Sequence, residues 1–293
     1  MRSDVTEYEL TAPPSLNAVL TQIASQPGRH ALLAGGTELM VALNTGRLAS
    51  QSLISIQHLK ELRFISVEQD SVHIGAGTTF TDIRRNEIIA REFPMLSRAA
   101  SWTGSIANQN RGTIGGNICN ASPAADTPPA LLVYEATLSL MSVRGERTVP
   151  YSDFHLGYKR VLLEPDEMLH SIRVPRSYVG WKQYIRKVGT RNAQAISKTA
   201  IAAIARLDAG MIQEIRIGAA SLADRPLRCT ATEAALRGRP VTGTNLDTTV
   251  RAGRAALARE AKPIDDIRST AMYRSAVAAN LLEEFLRELA AAD

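Results

Sequence analysis

The first 55 residues alternate between helical and extended hydrophobic patterns. Apolar residues at i, i+3, i+4 and i+7 over residues 16–23 predict a helix that begins behind Ser15 and ends at Pro27-Gly28. Short apolar runs at residues 30–33 and 53–56 predict strands, with a second helix over residues 39–43 between them. We therefore predict a compact β-α-β unit over residues 1–55.

Residues 56–176 carry a mixed pattern of alternating strands and short helices. The predicted elements are a hairpin at 64–67 and 72–74, helices at 82–91, 95–102 and 130–134, a second hairpin at 138–143 and 147–149, and a strand at 168–174. A stretch rich in Gly and Asn runs over residues 104–120. This region is predicted to form a second unit, closed by a linker at residues 175–180.

The remaining residues, 181–293, predict three antiparallel strands followed by helices. The strands are predicted at residues 182–188, 196–207 and 212–219. A stripe at every fourth position predicts that one face of the last helix is buried: Tyr273, Val277, Leu281, Phe285 and Leu289. The expected fold class is α+β, in three parts with boundaries at 1–55, 56–176 and 181–293.

Composition excludes several classes of protein. The chain has 293 residues, of which 45% are hydrophobic and 22% charged, as in ordinary globular proteins. No apolar run reaches the 18 or so residues of a membrane span, and the N-terminus lacks a signal-peptide pattern, so we expect a cytoplasmic protein. The net charge of +5 is spread among acids rather than clustered with aromatics, which does not indicate nucleic-acid binding.

The cysteines and histidines predict no metal centre in this chain. Cys119 and Cys229 are the only cysteines, whereas an iron–sulfur cluster requires about four thiolates. The five histidines show no HExxH or comparable spacing. Any redox centre held by this chain is therefore expected to be an organic cofactor.

Two glycine pairs are the candidate ligand-binding elements. Gly35-Gly36 joins a predicted strand to a predicted helix, and Gly115-Gly116 follows Thr113 and precedes Asn117. Glycines at such a turn expose backbone N–H groups to an anion such as a dinucleotide pyrophosphate. Neither pair fits GxGxxG or GxxxxGK[ST], and each pair alone is also compatible with a tight turn. The residues by themselves leave both interpretations open.

Asp126 is the candidate acidic residue beside the second pair. It precedes Thr127-Pro128 at the start of a buried-looking helix, where a carboxylate often acts only as a cap. The functional alternative is a carboxylate that accepts hydrogen bonds from ribose or ribityl hydroxyls.

Three segments resemble the FAD-binding medium subunit of molybdenum hydroxylases, the family of the xanthine and carbon monoxide dehydrogenase flavoproteins. They are AGGTEL at 34–39, TIGGNICNASPAADTPPALL at 113–132 and RKVGTRNAQAISK at 186–198. The resemblance covers essentially the whole chain in the same order. It implies a two-part FAD-binding α/β domain of the vanillyl-alcohol oxidase type, followed by a small C-terminal domain with a three-stranded antiparallel sheet and helices.

The resemblance also implies which residues bind FAD. Backbone amides around the first pair would bind the pyrophosphate, the second segment its other side, and Asp126 the sugar or ribityl hydroxyls. Leu169 would pack on the flavin side, and Lys187 would lie near the isoalloxazine ring. The implied cofactor-binding set is Leu32, Leu33, Ala34, Gly35, Gly36, Thr37, Glu38, Leu39, Thr103, Gly104, Thr113, Ile114, Gly115, Gly116, Asn117, Asp126, Leu169 and Lys187.

Some positions keep a second interpretation or depart from the family. Lys187 lies on a predicted strand and could point to solvent instead; beside the flavin it would stabilise the reduced form. Tyr184 is compatible with ring stacking or with a core position. Relatives often carry a QIRN-like element at residues 107–111 and, in xanthine dehydrogenases, an acidic pair at Gln194-Ala195; this chain has neither.

The resemblance implies an electron-transfer function without a catalytic acid or base of this chain's own. Electrons would pass from two [2Fe–2S] clusters in a small subunit through FAD to NAD+, after oxidation of a substrate at molybdopterin in a large subunit. We expect a xanthine dehydrogenase-like complex. The alternatives are a self-contained FAD-dependent oxidase or dehydrogenase, a non-catalytic nucleotide-binding protein, and the same subunit of an aldehyde, N-heterocycle or carbon monoxide dehydrogenase.

Overall fold

A three-stranded parallel sheet forms the N-terminal part of the computed structural model, which describes residues 7–191 and 194–291. Its elements are β1 (Glu9–Thr11), α1 (Leu16–Ser25), β2 (His30–Leu33), α2 (Leu39–Asn44) and β3 (Ser52–Ser55). The strands lie in the order β1-β3-β2. The Ser15 side chain caps α1 by accepting a hydrogen bond from the Ala18 amide, as the sequence predicts. The predicted strand at 53–56 is shifted by one residue.

A five-stranded antiparallel sheet follows. Its strands are β4 (Ile65–Val67), β5 (Ser71–Gly75), β6 (Thr137–Ser142), β7 (Gly145–Pro150) and β10 (Met168–Pro175), in the order β4-β5-β10-β6-β7. A separate two-stranded ladder joins β8 (His155–Gly157) to β9 (Arg160–Val161). Both predicted hairpins are present, and β10 lies between them at the centre of the sheet. The register of β10 against β6 shifts at His170, which is a bulge near the site described below.

Seven short helices of the described residues pack around this sheet. They are α3 (Phe80–Arg85), α4 (Glu87–Glu92), α5 (Pro94–Trp102), α6 (Ile106–Arg111), α7 (Ile114–Cys119), α8 (Pro128–Val133) and α9 (Tyr151–Phe154). The prediction of one helix over 82–91 is wrong, because Asn86 ends α3 with extended backbone and caps α4 through the Ile89 amide. The stretch rich in Gly and Asn forms α6 and α7.

The C-terminal part contains a four-stranded antiparallel sheet covered by helices. Its elements are β11 (Lys182–Val188), β12 (Thr199–Asp208), β13 (Met211–Ala220), β14 (Leu227–Arg228), α10 (Thr230–Leu236), α11 (Leu246–Glu260) and α12 (Ala271–Ala291). The three predicted strands are present, and the two-residue β14 adds a fourth at the edge. A strand this short has too little alternation to be recognised in a sequence. Single-turn 3-10 helices occur at Lys60–Leu62, Arg176–Tyr178 and Gly243–Asn245.

The last helix buries most, but not all, of its predicted apolar stripe. Leu281, Phe285 and Leu289 lie in the core of the C-terminal part, whereas Tyr273 is exposed, with the Lys198 ammonium 5.0 Å from its ring centroid. Tyr184 is also in this core, with its ring centroid 5.4 Å from that of Phe285. The structure therefore favours the core position for Tyr184 over stacking on a ligand.

Candidate functional site

The first glycine loop, residues 35–39, leaves its backbone donors free. The N–H groups of these residues donate to no acceptor within the part of the chain that the structure describes. Gly36 has a φ of +74°, a left-handed conformation that a residue with a Cβ adopts only at a cost. Thr37 and Glu38 are exposed. The loop therefore presents a row of unsatisfied amides to its surroundings, which suits an anionic ligand.

The second glycine segment, residues 113–117, satisfies its amides internally. The Gly116 amide donates to Thr113 Oγ1 (3.0 Å) and the Asn117 amide to the Thr113 carbonyl (3.0 Å). The Gly115 amide donates to the Ala76 carbonyl (2.9 Å), and the Ala76 amide donates to the carbonyl of His170 (2.8 Å). The bulge in β10 thus positions this segment through Ala76.

The two glycines of each pair have different roles. A Cβ on Gly35 would lie 2.0 Å from the Arg111 carbonyl oxygen, and a Cβ on Gly115 would lie 2.6 Å from the Ala76 Cβ. Both glycines are buried and allow close packing of backbone on backbone. Gly36 and Gly116 instead reach the surface, and a Cβ on Gly116 would meet only Thr113 Oγ1, at 3.0 Å.

The two glycine elements lie against each other, although they are about 80 residues apart in the chain. Gly35 packs directly on the Arg111–Gly112 backbone, which leads into the second segment. Arg111 Nε donates to the Gly35 carbonyl (3.2 Å). Lys159 Nζ lies 2.5 Å from Asn120 Oδ1, just beyond α7, and 3.5 Å from Glu38 Oε1. Lys159 could not be recognised from the sequence, because a single lysine in a hairpin belongs to no motif.

Asp126 forms a buried ion pair that bridges to the C-terminal part. Its carboxylate accepts hydrogen bonds from Lys187 Nζ (2.7 Å) and Ser197 Oγ (2.8 Å), and the side chains of Asp126 and Lys187 are each 10% exposed. Lys187 therefore does not point to solvent. Asp126 makes no capping bond either: Thr127 occupies the N-cap of α8, and no side chain caps that helix.

Asn117 connects this ion pair to the second glycine segment. Thr127, the neighbour of Asp126, donates from its hydroxyl to Asn117 Oδ1 (2.6 Å). The amide nitrogen of the Asn117 side chain has no acceptor among the described residues and so remains a donor. Lys187 Nζ also lies 3.4 Å from the carbonyl of Trp102, next to Thr103 and Gly104. Gly104 is exposed, with a φ of +64°.

The structure does not bring every predicted residue to the surface of the site. Leu169 is buried, 4% exposed, beside the bulge in β10 and opposite Leu140. Ile114 is fully buried. Leu32, Leu33 and Ala34 are half-buried, and Leu39 begins α2. The predicted contact between Leu169 and the flavin therefore stays a prediction.

The segments that depart from the family have defined places. Residues 106–111 form α6, and Gln109 is buried, with its Nε2 donating to the Ser101 carbonyl (2.9 Å). Gln194 has a φ of +50°, and its carbonyl accepts a hydrogen bond from Arg191 (2.5 Å). The centre of the segment at 186–198 and the first six residues lie outside the described residues.

Burial shifts the pKa values of two groups near the site. Burial raises the pKa of Asp126, and the Lys187 ammonium and the Ser197 hydroxyl oppose this shift. Burial lowers the pKa of His155, which is therefore neutral at pH 7 and donates from Nε2 to the Ile118 carbonyl (3.0 Å) at the end of α7. A neutral His155 thus anchors the second glycine segment.

The hydrogen-bond donors and the glycines of these two elements fit a phosphate group of FAD. Free amides lie on the first loop, Gly36 is half-buried and Gly116 exposed, and Arg111 and Lys159 supply positive charge. Phosphates bind where unsatisfied amides and glycines coincide. Among the described residues, no group of three or more His, Cys, Asp or Glu is placed to hold a metal ion.

Comparison with known families assigns both parts of the chain. Residues 6–177 match the family described as the FAD binding domain in molybdopterin dehydrogenase, and residues 184–289 match the CO dehydrogenase flavoprotein C-terminal domain. The fold and both matches define an FAD-binding oxidoreductase subunit.

Individual relatives are similar to this chain over nearly its full length. The chain is 33% identical to the xanthine dehydrogenase FAD-binding subunit of Escherichia coli O157:H7, over 99% of this chain and 97% of the relative. It is 30% identical to the carbon monoxide dehydrogenase medium chain of Hydrogenophaga pseudoflava, covering 95% and 96%. A solved carbon monoxide dehydrogenase from that organism, which lacks the Mo-pyranopterin moiety, superposes with a TM-score of 0.88 at 32% identity, covering 94% and 95%.

The chain therefore belongs to the FAD-binding medium subunits of the molybdenum hydroxylases, and its cofactor is FAD. No helix among the described residues is both long and apolar enough to cross a membrane.

Proposed function

We propose that this chain is the electron-transfer subunit of a xanthine dehydrogenase-like complex. The observation that carries the proposal is the first glycine loop, whose amides are free and whose Gly35 packs on the Arg111–Gly112 backbone that leads into the second glycine segment. The chain is also 33% identical over 99% of its length to a xanthine dehydrogenase FAD-binding subunit. Bound FAD supplies the redox chemistry, and the residues of the chain supply binding, orientation and charge.

The proposed binding residues act in three groups. The amides of residues 35–39 donate to the pyrophosphate, and the side-chain amide of Asn117 donates from the second segment. Half-buried Gly36 and exposed Gly116 let the ligand approach the backbone. Thr103, Gly104 and Asp126 contact the ribityl or sugar hydroxyls, because the carboxylate of Asp126 keeps acceptor capacity beyond Lys187 and Ser197.

Lys187 is proposed to lie beside the flavin ring as one half of an ion pair. Its ammonium is held 2.7 Å from Asp126, so the pair adds little net charge to its surroundings. The ammonium retains donor capacity toward a ring acceptor, since only Asp126 and the carbonyl of Trp102 lie within reach among the described residues. Lys187 therefore contributes more to the orientation of the ring than to electrostatic stabilisation of the reduced flavin.

The partners are proposed from the relatives. The carbon monoxide dehydrogenase of Hydrogenophaga pseudoflava has a medium chain, to which this chain is similar, and a molybdenum cofactor. We propose a small subunit with two [2Fe–2S] clusters as electron donor, a large molybdopterin subunit that oxidises the substrate, and NAD+ as acceptor. A purine is the proposed substrate. A cytoplasmic location and the division into 1–55, 56–176 and 181–293 remain predictions.

The test separates the subunit from a self-contained enzyme. The purified chain should be yellow with FAD and transfer electrons from NADH to an artificial dye. It should not oxidise xanthine until the iron–sulfur and molybdopterin subunits are added. Xanthine oxidation by this chain alone would overturn the proposal, and failure of NADH to reduce the dye through the FAD-loaded chain would argue against NAD+ as acceptor. A preparation without added FAD is the control.

A further inference from the structure

Two cations of the middle region contact opposite ends of the first glycine loop. Arg111 reaches its start, with Nε 3.2 Å from the Gly35 carbonyl oxygen. Lys159 reaches its end, with Nζ 3.5 Å from Glu38 Oε1. The loop residues make no other side-chain hydrogen bond or ion pair among the described residues. These two contacts are therefore the side-chain restraints on the loop.

The Arg111 contact determines the direction of one amide. The peptide between Gly35 and Gly36 is trans, so its carbonyl and its N–H point in opposite directions. Since the Gly35 carbonyl is turned toward Arg111, the Gly36 N–H points away from it, toward the open side of the loop. A glycine pair rotates easily, and a bond to this carbonyl removes that freedom.

Arg111 is itself held in place by neutral groups. Its Nη2 donates to Gln57 Oε1 (2.9 Å), and its backbone carbonyl packs against Gly35. No carboxylate lies within ion-pair distance of Arg111 among the described residues. The planar guanidinium can contact Gly35 and Gln57 at once, a geometry that a single ammonium does not reproduce.

We propose that Arg111 is a positioning residue: it holds the Gly35–Gly36 peptide so that the Gly36 N–H faces the cofactor diphosphate. This inference rests on the proposed binding of the FAD diphosphate at the first loop. Lys159 restrains the other end more weakly, because its side chain is 40% exposed and that of Glu38 62% exposed. The guanidinium acts through the peptide and does not itself touch the phosphate.

The test measures the affinity of the full chain, stripped of cofactor, for both FAD and ADP. Both ligands contain the diphosphate, so Arg111→Met should weaken both about tenfold, the loss expected for one charge-assisted hydrogen bond. Arg111→Lys should recover little of this affinity, and Gln57→Leu, which frees the guanidinium, should cause a smaller loss for both ligands. The matched control is Arg85→Met, which removes an exposed arginine of α3 that has no ion pair among the described residues.

Three results would overturn the inference. The first is wild-type affinity for FAD and ADP in Arg111→Met. The second is full recovery of these affinities in Arg111→Lys, and the third is an equal loss of affinity in Arg85→Met. Either of the last two results would indicate that only the positive charge matters. If Arg111→Met does not fold, Gln57→Leu decides by the same ADP titration. Failure of the wild-type chain to bind FAD would refute the proposed function instead, so the two failures are distinguishable.

Discussion

The two glycine elements share a composition but differ in almost every physical respect. The loop at 35–39 leaves its amides free, whereas the amides of residues 114–117 all have acceptors within the chain. The first element exposes Thr37 and Glu38, whereas the second forms the start of α7 and is mostly buried, with Gly115 against Ala76. A glycine pair therefore does not by itself mark a phosphate site. What decides is whether the surrounding backbone leaves donors unsatisfied.

The two glycines within each pair also differ in their roles. Gly35 and Gly115 serve packing, because any Cβ there would collide with neighbouring backbone, and Gly36 and Gly116 serve the open surface. Substitutions can therefore separate stability from cofactor binding.

The largest expected effect comes from a packing glycine. Gly35→Ala places a methyl group 2.0 Å from the Arg111 carbonyl oxygen, so the two elements must move apart. We expect the free energy of unfolding to fall by about 3 kcal/mol, at the upper end for overpacking, and FAD binding to be lost. Urea unfolding of the cofactor-free chain measures the first effect. Wild-type stability would show that the two elements are not in contact.

The ion pair that joins the second segment to the C-terminal part should have the next largest effect. Asp126→Ala leaves Lys187 buried without its partner, and we expect a loss of roughly 3 kcal/mol in unfolding free energy. If Asp126 also binds ribityl hydroxyls, FAD affinity should fall while ADP affinity does not, because ADP has no ribityl chain. The double variant with Lys187→Met should be more stable than Asp126→Ala alone, because no unpaired charge remains. Equal losses of ADP and FAD affinity would place Asp126 at the adenosine diphosphate part of the cofactor, which both ligands share.

An exposed glycine should affect binding rather than folding. Gly116→Ala adds a methyl group that meets only Thr113 Oγ1, and alanine also favours the helical backbone of α7. We expect stability within about 1 kcal/mol of wild type and FAD affinity roughly tenfold lower. Fluorescence titration with FAD and thermal unfolding check both quantities. Unchanged affinity would remove the second segment from the binding site.

The smallest expected effect is a pH dependence specific to the second segment. Burial lowers the pKa of His155, so this residue binds a proton more readily in the unfolded chain. The contribution of His155 to stability is therefore present above its unfolded pKa and is lost as the pH falls below that value. The slope is at most about 1.4 kcal/mol per pH unit. His155→Gln, which retains a donor, should show a shallower fall than wild type between pH 7 and 5. Parallel curves would contradict this assignment.

Much of this protein follows from local sequence patterns. The helix behind Ser15, the strand at His30–Leu33, both hairpins and the long strands of the C-terminal part are present as predicted. Periodicity and turn residues act over a few positions, so a sequence reveals them directly. The motifs around the two glycine pairs also identified the FAD-binding family correctly.

The predictions that failed required information from outside the segment concerned. Asn86 divides a predicted helix because its side chain competes for a backbone amide, and β14 exists only because β13 provides an edge. Lys187 pairs with Asp126, which is 61 residues away in the chain, so the alternative that it points to solvent is wrong.

The sequence alone identified the two glycine pairs, Asp126 and the family of flavoproteins to which this chain belongs. Only the tertiary structure decided which glycines pack and which face outward, because that depends on the Arg111 carbonyl and on Ala76. It also showed that one element keeps its amides free and that Lys159 joins the two. Hydrogen-bond satisfaction is a property of three-dimensional neighbours, and residues far apart in the chain supply those neighbours.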